Sequence, residues 1–160
     1  MPRYWIVTTS PDNMARTAAH GWRVQGFKSR QRKNVMEKMA PGDRLAYYLS
    51  GAKSIGALAT VASDGFEEHT RIWVSEGKPD EDYAWRVEIK PDLILSESEW
   101  APVEPFSQEL AHIRKWPAAN WTLAFQGNLR EISADDFAIL ERHVRQAARL
   151  RVRHGFRCRQ

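Results

Sequence analysis

The sequence has almost no cysteine and no long hydrophobic run. Its single cysteine, Cys158, has no second cysteine to pair with inside the chain. The longest uninterrupted apolar runs are a few residues long, whereas a bilayer-spanning helix needs about 20. The opening MPRYWIVTT also lacks the architecture of a signal peptide. We therefore expect a protein of the reducing cytoplasm, with neither an intramolecular disulfide nor a transmembrane helix.

Motifs for metal or nucleotide chemistry are also missing. No histidine begins an HxxxH, HxE or HExxH pattern, and all five are isolated: His20, His69, His112, His143 and His154. Residues 51–56 place a lysine and a serine between two glycines, whereas a phosphate-binding loop carries them after the second glycine. No GxGxxG or GxSxG pattern occurs. The sequence therefore predicts no bound metal and no cofactor.

Acidic and nucleophilic residues are poorly placed for catalysis. The carboxylate pairs 67–68, 81–82 and 135–136 are adjacent in sequence. In a strand, neighbours point to opposite faces, and at a helix start they complement the dipole, so neither arrangement makes an acid/base pair. Cys158 has no base beside it at a fixed position. We predict a non-catalytic protein.

What the sequence does have is enough apolar material for one core. Hydrophobic residues make up 42% of its 160 residues, at a mean hydropathy of −0.57. A chain of this length forms one ordinary domain that buries roughly two-thirds of its unfolded surface. We predict a single folded domain over residues 1–150 and an Arg-rich C-terminal tail over residues 151–160.

Positive charge is concentrated in two segments. The net charge is +4, yet residues 142–160 hold seven arginines and no acid, and residues 23–38 hold six basic residues against Glu37. Residues 64–82, in contrast, hold seven acids against two basic residues. Basic segments next to aromatic residues are typical of proteins that hold a phosphate backbone. An Arg-rich C-terminus is equally consistent with a solvated end.

Local signals predict short helices between short strands. Ser10-Pro11 begins a helix over 11–20, a turn or two follows in 30–39, Ser107 caps a helix to Lys115, and Ser133 opens the last helix. The predicted strands are 3–8, 44–49, 55–61, 83–90 and 121–126. Residues 63–82 look like a long exposed connection. This order does not suit a doubly wound parallel sheet and predicts an α+β domain, a small mixed barrel with flanking helices.

The seven tryptophans are more than a core of this size needs. We expect Trp5 and Trp116 to be structural. Five other aromatic residues lie at strand ends or in glycine-bearing loops, where a ring can wall a pocket: Trp22, Phe27, Trp73, Trp85 and Trp121. A flat ligand gains about 1–3 kcal/mol per aromatic stack, and a flipped base is such a ligand. Core packing remains the alternative for any single ring.

Seven segments in the same order and spacing resemble the EVE domain family over residues 3–141. They are YWI (4–6), Gly26-Phe27 with Lys33-Asn34, PGDRLAYYLS (41–50), IGALATV (55–61), YAWRVEI (83–89), Trp121 to Phe125 with Gly127, and REISADDF (130–137). The resemblance implies a PUA-like fold related to the YTH readers of N6-methyladenine. It also implies a nucleic-acid-binding module without a catalytic centre that accepts a modified base, such as a 5-substituted cytosine.

By position, the resemblance and the aromatic placement together imply a base pocket and a rim of phosphate contacts. The pocket residues are Trp22, Phe27, Ser29, Tyr48, Ser50, Trp73, Trp85 and Trp121, with Trp22 and Phe27 as alternatives for the first pocket ring. The backbone-binding residues are Lys28, Arg30, Arg32, Lys33, Arg86 and Arg130.

Three hypotheses follow from the sequence. The first is a reader that holds DNA or RNA through its basic residues and places a modified base between aromatic rings. The second is a nucleotide-modifying enzyme with Asp43, Glu88 or a histidine as acid/base. The third is a protein-interaction subunit whose basic tail docks an acidic partner.

Overall fold

The structure, a computed structural model, describes the backbone of residues 1–157 and the side chains of residues 1–150. Eight strands are present: β1 Tyr4–Thr9, β2 Val24–Phe27, β3 Arg44–Leu49, β4 Ser54–Val61, β5 Phe66–Glu67, β6 Trp85–Ile94, β7 Ala101–Pro102 and β8 Leu129–Ile132. The two α-helices are α1 Pro11–Ala19 and α2 Ala134–Arg157. Short stretches of 3₁₀ or π helix fill Ser29–Gln31, Asn34–Lys38, Glu97–Glu99, Glu104–Glu109, Ile113–Lys115 and Ala118–Phe125.

The strands form one mixed sheet in the order β2-β6-β4-β3-β1-β8, with β5 on β6 and β7 on β4. Only β1 and β3 pair in parallel among the described strands, from Tyr4 opposite Arg44 to Thr9 opposite Leu49. β8 pairs antiparallel with β1, from Val7 opposite Leu129. The sheet curls into a half-barrel, so that its two edge strands, β2 and β8, approach each other.

Asn128 joins the two edges of the half-barrel. The backbone N–H of Lys28, just after β2, donates to Asn128 Oδ1 at 2.9 Å. The side-chain amide of Asn128 donates in turn to the carbonyl oxygen of Thr8 in β1 at 3.2 Å. We call this junction of Thr8, Lys28 and Asn128 the seam.

Both faces of the sheet are buried, so the structure has two apolar layers. One lies between the sheet, the short helices of residues 104–125 and α2, and it contains Phe125, Phe137 and Leu140. The other fills the concave side of the sheet with Trp5, Phe27 and several aliphatic residues. This double burial explains why the central strands β3 and β4 are nearly all apolar instead of alternating cleanly.

The predicted fold class is confirmed as an α+β single domain with a mixed, curled sheet and flanking helices. Helix α1 begins as predicted, because the Ser10 hydroxyl accepts from the Asn13 N–H at 3.1 Å and proline occupies the first turn. The hairpin of β3 and β4 is confirmed. So is the last helix, which Ser133 caps by accepting from the Asp136 N–H at 3.1 Å.

Three predicted elements are corrected by the structure. Residues 121–126 form 3₁₀ helix instead of a strand. The predicted helix over 107–115 is two short 3₁₀ helices separated by residues 110–112. Residues 24–27, where the sequence predicted no strand, form β2 on β6.

The C-terminal region continues α2 to Arg157 without a break at residue 151. Cys158 and the last two residues of the predicted tail lie outside the described residues. Across the part of the chain that is described, no helix has the length and apolarity to traverse a membrane.

Candidate nucleic-acid interface

A cleft of about 480 Å³ opens at the seam. We call it the seam cleft. The carboxyl end of β1 and the first turns of α1 form one wall, and residues 28 and 30 after β2 form another. The turn after β3 and residues 73–76 complete it. Its volume falls within the range of about 300–1,000 Å³ that is typical of ligand pockets.

The floor of the seam cleft offers polar groups. Ser50 lies at the end of β3, and its hydroxyl donates to the carbonyl oxygen of Thr9 at 3.3 Å. Thr9 and Ser10 lie next to it, where β1 passes into α1. Because Ser50 is exposed and holds only a long hydrogen bond, its hydroxyl is free to pair with a ligand.

Three cations line the same cleft. They are Arg16, Lys28 and Arg30. None of the three forms a salt bridge with a carboxylate of residues 1–150. Partial burial, followed by the nearby Arg30 and Lys78 cations, lowers the pKa of Lys28 below its ordinary value. Asp12 and Glu76 also line the cleft. An anion placed between Lys28 and Arg30 would relieve the repulsion between these two cations.

Trp73 lines the cleft but is almost completely buried. It is 1% exposed. The Arg86 guanidinium carbon lies 5.2 Å from the ring centroid. The backbone of Gly26 is so close to the ring that an added Cβ would sit 2.4 Å from it. The indole N–H donates to Thr17 Oγ1 at 2.9 Å. Trp73 is therefore wedged between α1 and β2.

The segment that carries Trp73 is fastened to α1 by Asn13. The Asn13 side chain accepts from the Val74 N–H at 3.0 Å and donates to the Val74 carbonyl oxygen at 2.9 Å. The Asn13 amide thus satisfies both the N–H and the carbonyl group of Val74, as a neighbouring strand would. We call residues 70–76 the covering segment, because this pairing holds them over the side of the cleft.

The structure brings four of the predicted site residues together at the cleft. Ser50 and Trp73 come from the predicted pocket, and Lys28 and Arg30 from the predicted backbone contacts. They meet because the ends of β2 and β3 converge at the seam beneath the covering segment.

Four other predicted pocket rings lie in the core. Phe27 is fully buried between the sheet layers, and Tyr48 stacks on Phe125 at 4.0 Å between centroids. Trp22 packs edge-on against Tyr47 at 5.3 Å, and Trp121 is 7% exposed beside Phe125. Each ring is therefore covered by neighbouring side chains and does not face the cleft.

Arg86, predicted to contact a nucleic-acid backbone, points inward. It is 2% exposed, and its guanidinium donates to the carbonyl oxygens of Thr70, Asp82 and Tyr83. Nε and Nη2 thus bind backbone carbonyls, one of which belongs to the covering segment, and the guanidinium lies inside the protein instead of at its surface.

The remaining predicted residues lie outside the cleft. Ser29 donates to Glu81 through both its backbone N–H and its hydroxyl, and the Arg32 guanidinium lies 5.1 Å from the Trp85 ring centroid. Lys33 is exposed. Arg130 lies against Trp116 in a second groove.

Several cleft residues were missed from the sequence. Asn13, Arg16, Tyr83 and Asn128 line the cleft beside the predicted residues. Asn13 is a poor helix former inside α1, and Asn128 follows a glycine with φ of 90° immediately before a strand. Polar residues that break local preference in this way were the available signal.

The described residues contain no group of three or more His, Cys, Asp or Glu side chains arranged to hold a metal ion. His112 is buried, and its Nε2 donates a hydrogen bond to the carbonyl oxygen of Ala124 at 2.7 Å. Its burial lowers its pKa, so the ring is neutral and Nε2 carries the proton.

Solved structures define the class of fold. The chain is similar to the Mmi1 YTH domain in its complex with RNA, at a TM-score of 0.63 and 18% identity over 94% of this chain and 82% of that one. It is also similar to human THYN1 in complex with DNA that contains 5-methylcytosine, at a TM-score of 0.56 and 13% identity over 91% and 97%. The fold is therefore PUA-like, as the sequence resemblance implied.

The model of the EVE domain matches residues 3–143, and the chain belongs to the EVE domain family. Curated relatives include UPF0310 proteins of Pyrococcus abyssi, 26% identical over 86% of this chain and 96% of the relative, and of Pyrococcus horikoshii, 26% identical over 87% and 97%.

Proposed function

We propose that this chain binds nucleic acid and takes a modified base into the seam cleft, without catalysing a reaction on it. The observation that carries the proposal is the cleft itself, which combines unpaired cations with free polar groups at the open side of the half-barrel. An uncharged ligand would leave Lys28 and Arg30 repelling each other, whereas a phosphodiester next to the cleft neutralises them.

The cations and the polar floor have different tasks in this proposal. Arg16, Lys28 and Arg30 hold the phosphates that flank the bound nucleotide. The Ser50 hydroxyl and the Thr9 carbonyl oxygen are placed to bond the edge of its base. Phosphate contacts give affinity and salt dependence, and contacts to the base give selectivity.

The covering segment controls whether an aromatic surface is available. Trp73 is 1% exposed, and the hydrogen bonds of Asn13 to Val74 hold its segment in place. A base that enters the cleft gains a stack on Trp73 only if this segment moves outward. A methyl substituent on the base would then fill apolar volume, for a discrimination of about 1–3 kcal/mol.

Related proteins support nucleic acid as the ligand. Solved structures of the same fold hold RNA in the Mmi1 YTH domain and 5-methylcytosine-containing DNA in human THYN1. We propose that this chain likewise binds nucleic acid that contains a modified base. We also retain the prediction of a cytoplasmic location.

Titration of labelled nine-nucleotide single strands tests the proposal. The strands are DNA with a central cytosine or 5-methylcytosine, and RNA with a central adenine or N6-methyladenine. We expect tighter binding of one modified strand than of its plain counterpart. K28A and R30A should each weaken binding and reduce the slope of log K against log salt by about one, because each removes one phosphate contact. S50A should reduce the preference for the modified base.

Lys90→Ala is the matched control, because Lys90 is an exposed cation on β6 that does not line the cleft. It should leave both affinity and preference unchanged. Equal losses in K28A and K90A would show that only overall charge matters. Absence of binding to every strand would overturn the proposal and favour a protein partner. Turnover of a modified strand by the purified chain would overturn the non-catalytic assignment.

A further inference from the structure

A second groove of about 350 Å³ lies along the edge strand β8. Trp116 and Arg130 line it, together with the cations Lys38 and Lys115. β8 is the end of the sheet, paired only with β1 among the described strands. The groove is therefore an open track along the edge of the half-barrel.

Trp116 and Arg130 form a fixed layer in this groove. The Arg130 guanidinium carbon lies 5.6 Å from the Trp116 ring centroid. Arg130 Nε donates to the Gln126 carbonyl oxygen at 2.6 Å, which fixes the guanidinium over the ring. The edge of His112 contacts the Trp116 ring with centroids 5.5 Å apart. Trp116 is half-buried, so the layer is both supported from below and reachable from solvent.

The groove is positively charged. Lys38, Lys115 and Arg130 form no salt bridge with any carboxylate of residues 1–150. Glu131 is the acid in the groove, and Arg3 neutralises it at 3.1 Å. Cations beside a planar, stacked surface are the combination that single-stranded nucleic acids meet in their binding proteins.

The groove and the seam cleft are neighbours along the chain. Gly127 and Asn128, in the turn just before β8, line the cleft, whereas Arg130 and Glu131 on β8 line the groove. Two residues of strand span about 7 Å. In addition, Arg130 bonds the carbonyl of Gln126, the residue that precedes Gly127. The Arg130–Trp116 layer therefore stands about one nucleotide from the cleft.

We infer that a single strand with one base in the seam cleft lays its neighbouring base on the Arg130–Trp116 layer, while Lys38 and Lys115 contact its phosphates. The inference rests on the proposed function and names its substrate more narrowly. Bases stack on guanidinium planes as well as on aromatic rings. A duplex keeps neighbouring bases stacked on each other, so an intact duplex cannot use both places at once.

A cycle that combines protein and probe variants tests this inference. The protein variants are W116A and R130K, and the probes are nine-nucleotide DNA strands with a central 5-methylcytosine. One probe is intact, and two carry an abasic site on the 5′ or the 3′ side of the modified base. An all-RNA strand and a duplex of the same sequence are measured alongside.

We expect W116A to weaken binding of the intact strand by about 5- to 100-fold, as loss of one base stack does. R130K keeps the charge but loses the planar fork, so it should weaken binding as well. One of the two abasic probes should bind the wild-type protein with the same reduced affinity that the intact strand has for W116A. The affinity of that abasic probe should not fall further when the protein is W116A. The duplex should bind less tightly than the single strand.

Additive losses for both abasic positions would overturn the inference, because they would show that Trp116 contacts neither neighbouring base. If W116A does not fold by circular dichroism, R130K replaces it in the cycle, and Lys115→Glu reports the phosphate contact from an exposed position. If K28A binds more weakly but the losses from W116A and from the abasic probes are additive, the proposed function stands and only the stacking on Trp116 is overturned. If K28A binds as tightly as wild type while W116A and one abasic probe are not additive, the seam cleft is overturned and the stacking on Trp116 stands.

Discussion

Asp43 shows how a residue that suggests catalysis can be structural. It is 2% exposed in the turn before β3. One carboxylate oxygen accepts from the Arg3 N–H at 2.9 Å. The other accepts from the Trp5 indole at 3.1 Å and the Ala40 N–H at 3.2 Å. Both oxygens are engaged inside the protein, so Asp43 fastens the chain before β1 to the turn before β3 instead of serving as an acid/base.

We expect Asp43→Asn to lower the free energy of unfolding by about 1–3 kcal/mol. The new amide NH₂ would face N–H donors and leave buried groups unpaired. Urea unfolding followed by tryptophan fluorescence measures the change. Asp64→Asn, at an exposed position, should stay within about 0.5 kcal/mol of wild type. A D43N protein as stable as wild type would show that the three hydrogen bonds contribute little.

Among the predicted residues, two of the six cations, Lys28 and Arg30, line the candidate cleft, whereas Trp73 is the one predicted ring that does. Lys28 and Arg30 follow a strand in a basic segment, and a charged side chain rarely turns inward. An aromatic residue at a strand end has no such constraint. Trp22 has φ of 55°, and Tyr48 belongs to a strand buried on both faces. Sequence alone cannot tell a ring that walls a pocket from one that completes a second core layer.

At the scale of elements, the acidic connection 63–82 differs most from its prediction as an exposed loop. Three groups fasten it: Asn13 binds Val74, Arg86 binds backbone carbonyls, and His69 bridges two acids. His69 Nδ1 lies 2.6 Å from Asp82 and Nε2 lies 2.7 Å from Glu67. The connection 63–82 has one buried aromatic ring, Trp73. One buried ring is too weak a hydrophobic pattern to predict that the connection packs against the domain.

The His69 bridge predicts a pH-dependent attachment. Hydrogen bonds to Asp82 and then to Glu67 raise the pKa of His69 in the folded protein. The protonated ring is thus the favoured form, and its stabilisation is full below the ordinary histidine pKa of about 6.5. It disappears as pH rises through the raised value.

We expect the melting temperature of wild type to exceed that of His69→Gln at pH 5.5, with the difference closing by pH 8.5. Differential scanning fluorimetry across this range measures it. His20→Gln gives the background effect of removing an exposed histidine at the end of α1. A difference that grows with pH would contradict the bridge.

Residues 121–126 illustrate why short apolar runs mislead. WTLAFQ is compatible with a strand by composition. The structure buries Trp121, Ala124 and Phe125, which are three and four residues apart and therefore share one face of a helix. In a strand, every second residue would be buried instead. Tertiary contact with the sheet, not local preference, decides between the two.

At the scale of the whole molecule, one side chain closes the half-barrel. Asn128 bonds β1 and the end of β2 at the same time. We expect Asn128→Ala to lower the free energy of unfolding by about 1–3 kcal/mol, because the Lys28 N–H loses its acceptor. It should also weaken nucleic-acid binding several-fold, since Lys28 is no longer positioned at the cleft.

Chemical denaturation and the binding titration together measure this effect. Asn120→Ala removes the same amide from an exposed position and should change neither property. A stable N128A protein that binds as wild type does would show that the half-barrel keeps its shape without the seam.

The pairing of β1 with β8 has a consequence for synthesis. β1 is made first, yet its outer partner arrives only at residues 129–132. At translation rates of about 5–20 residues per second, the ribosome needs roughly 6–25 s to supply it. During that interval, the unpaired edge of an apolar strand is open to other nascent chains. Products terminated before residue 129 should therefore aggregate more readily than the full chain, because they leave this edge of β1 permanently unpaired.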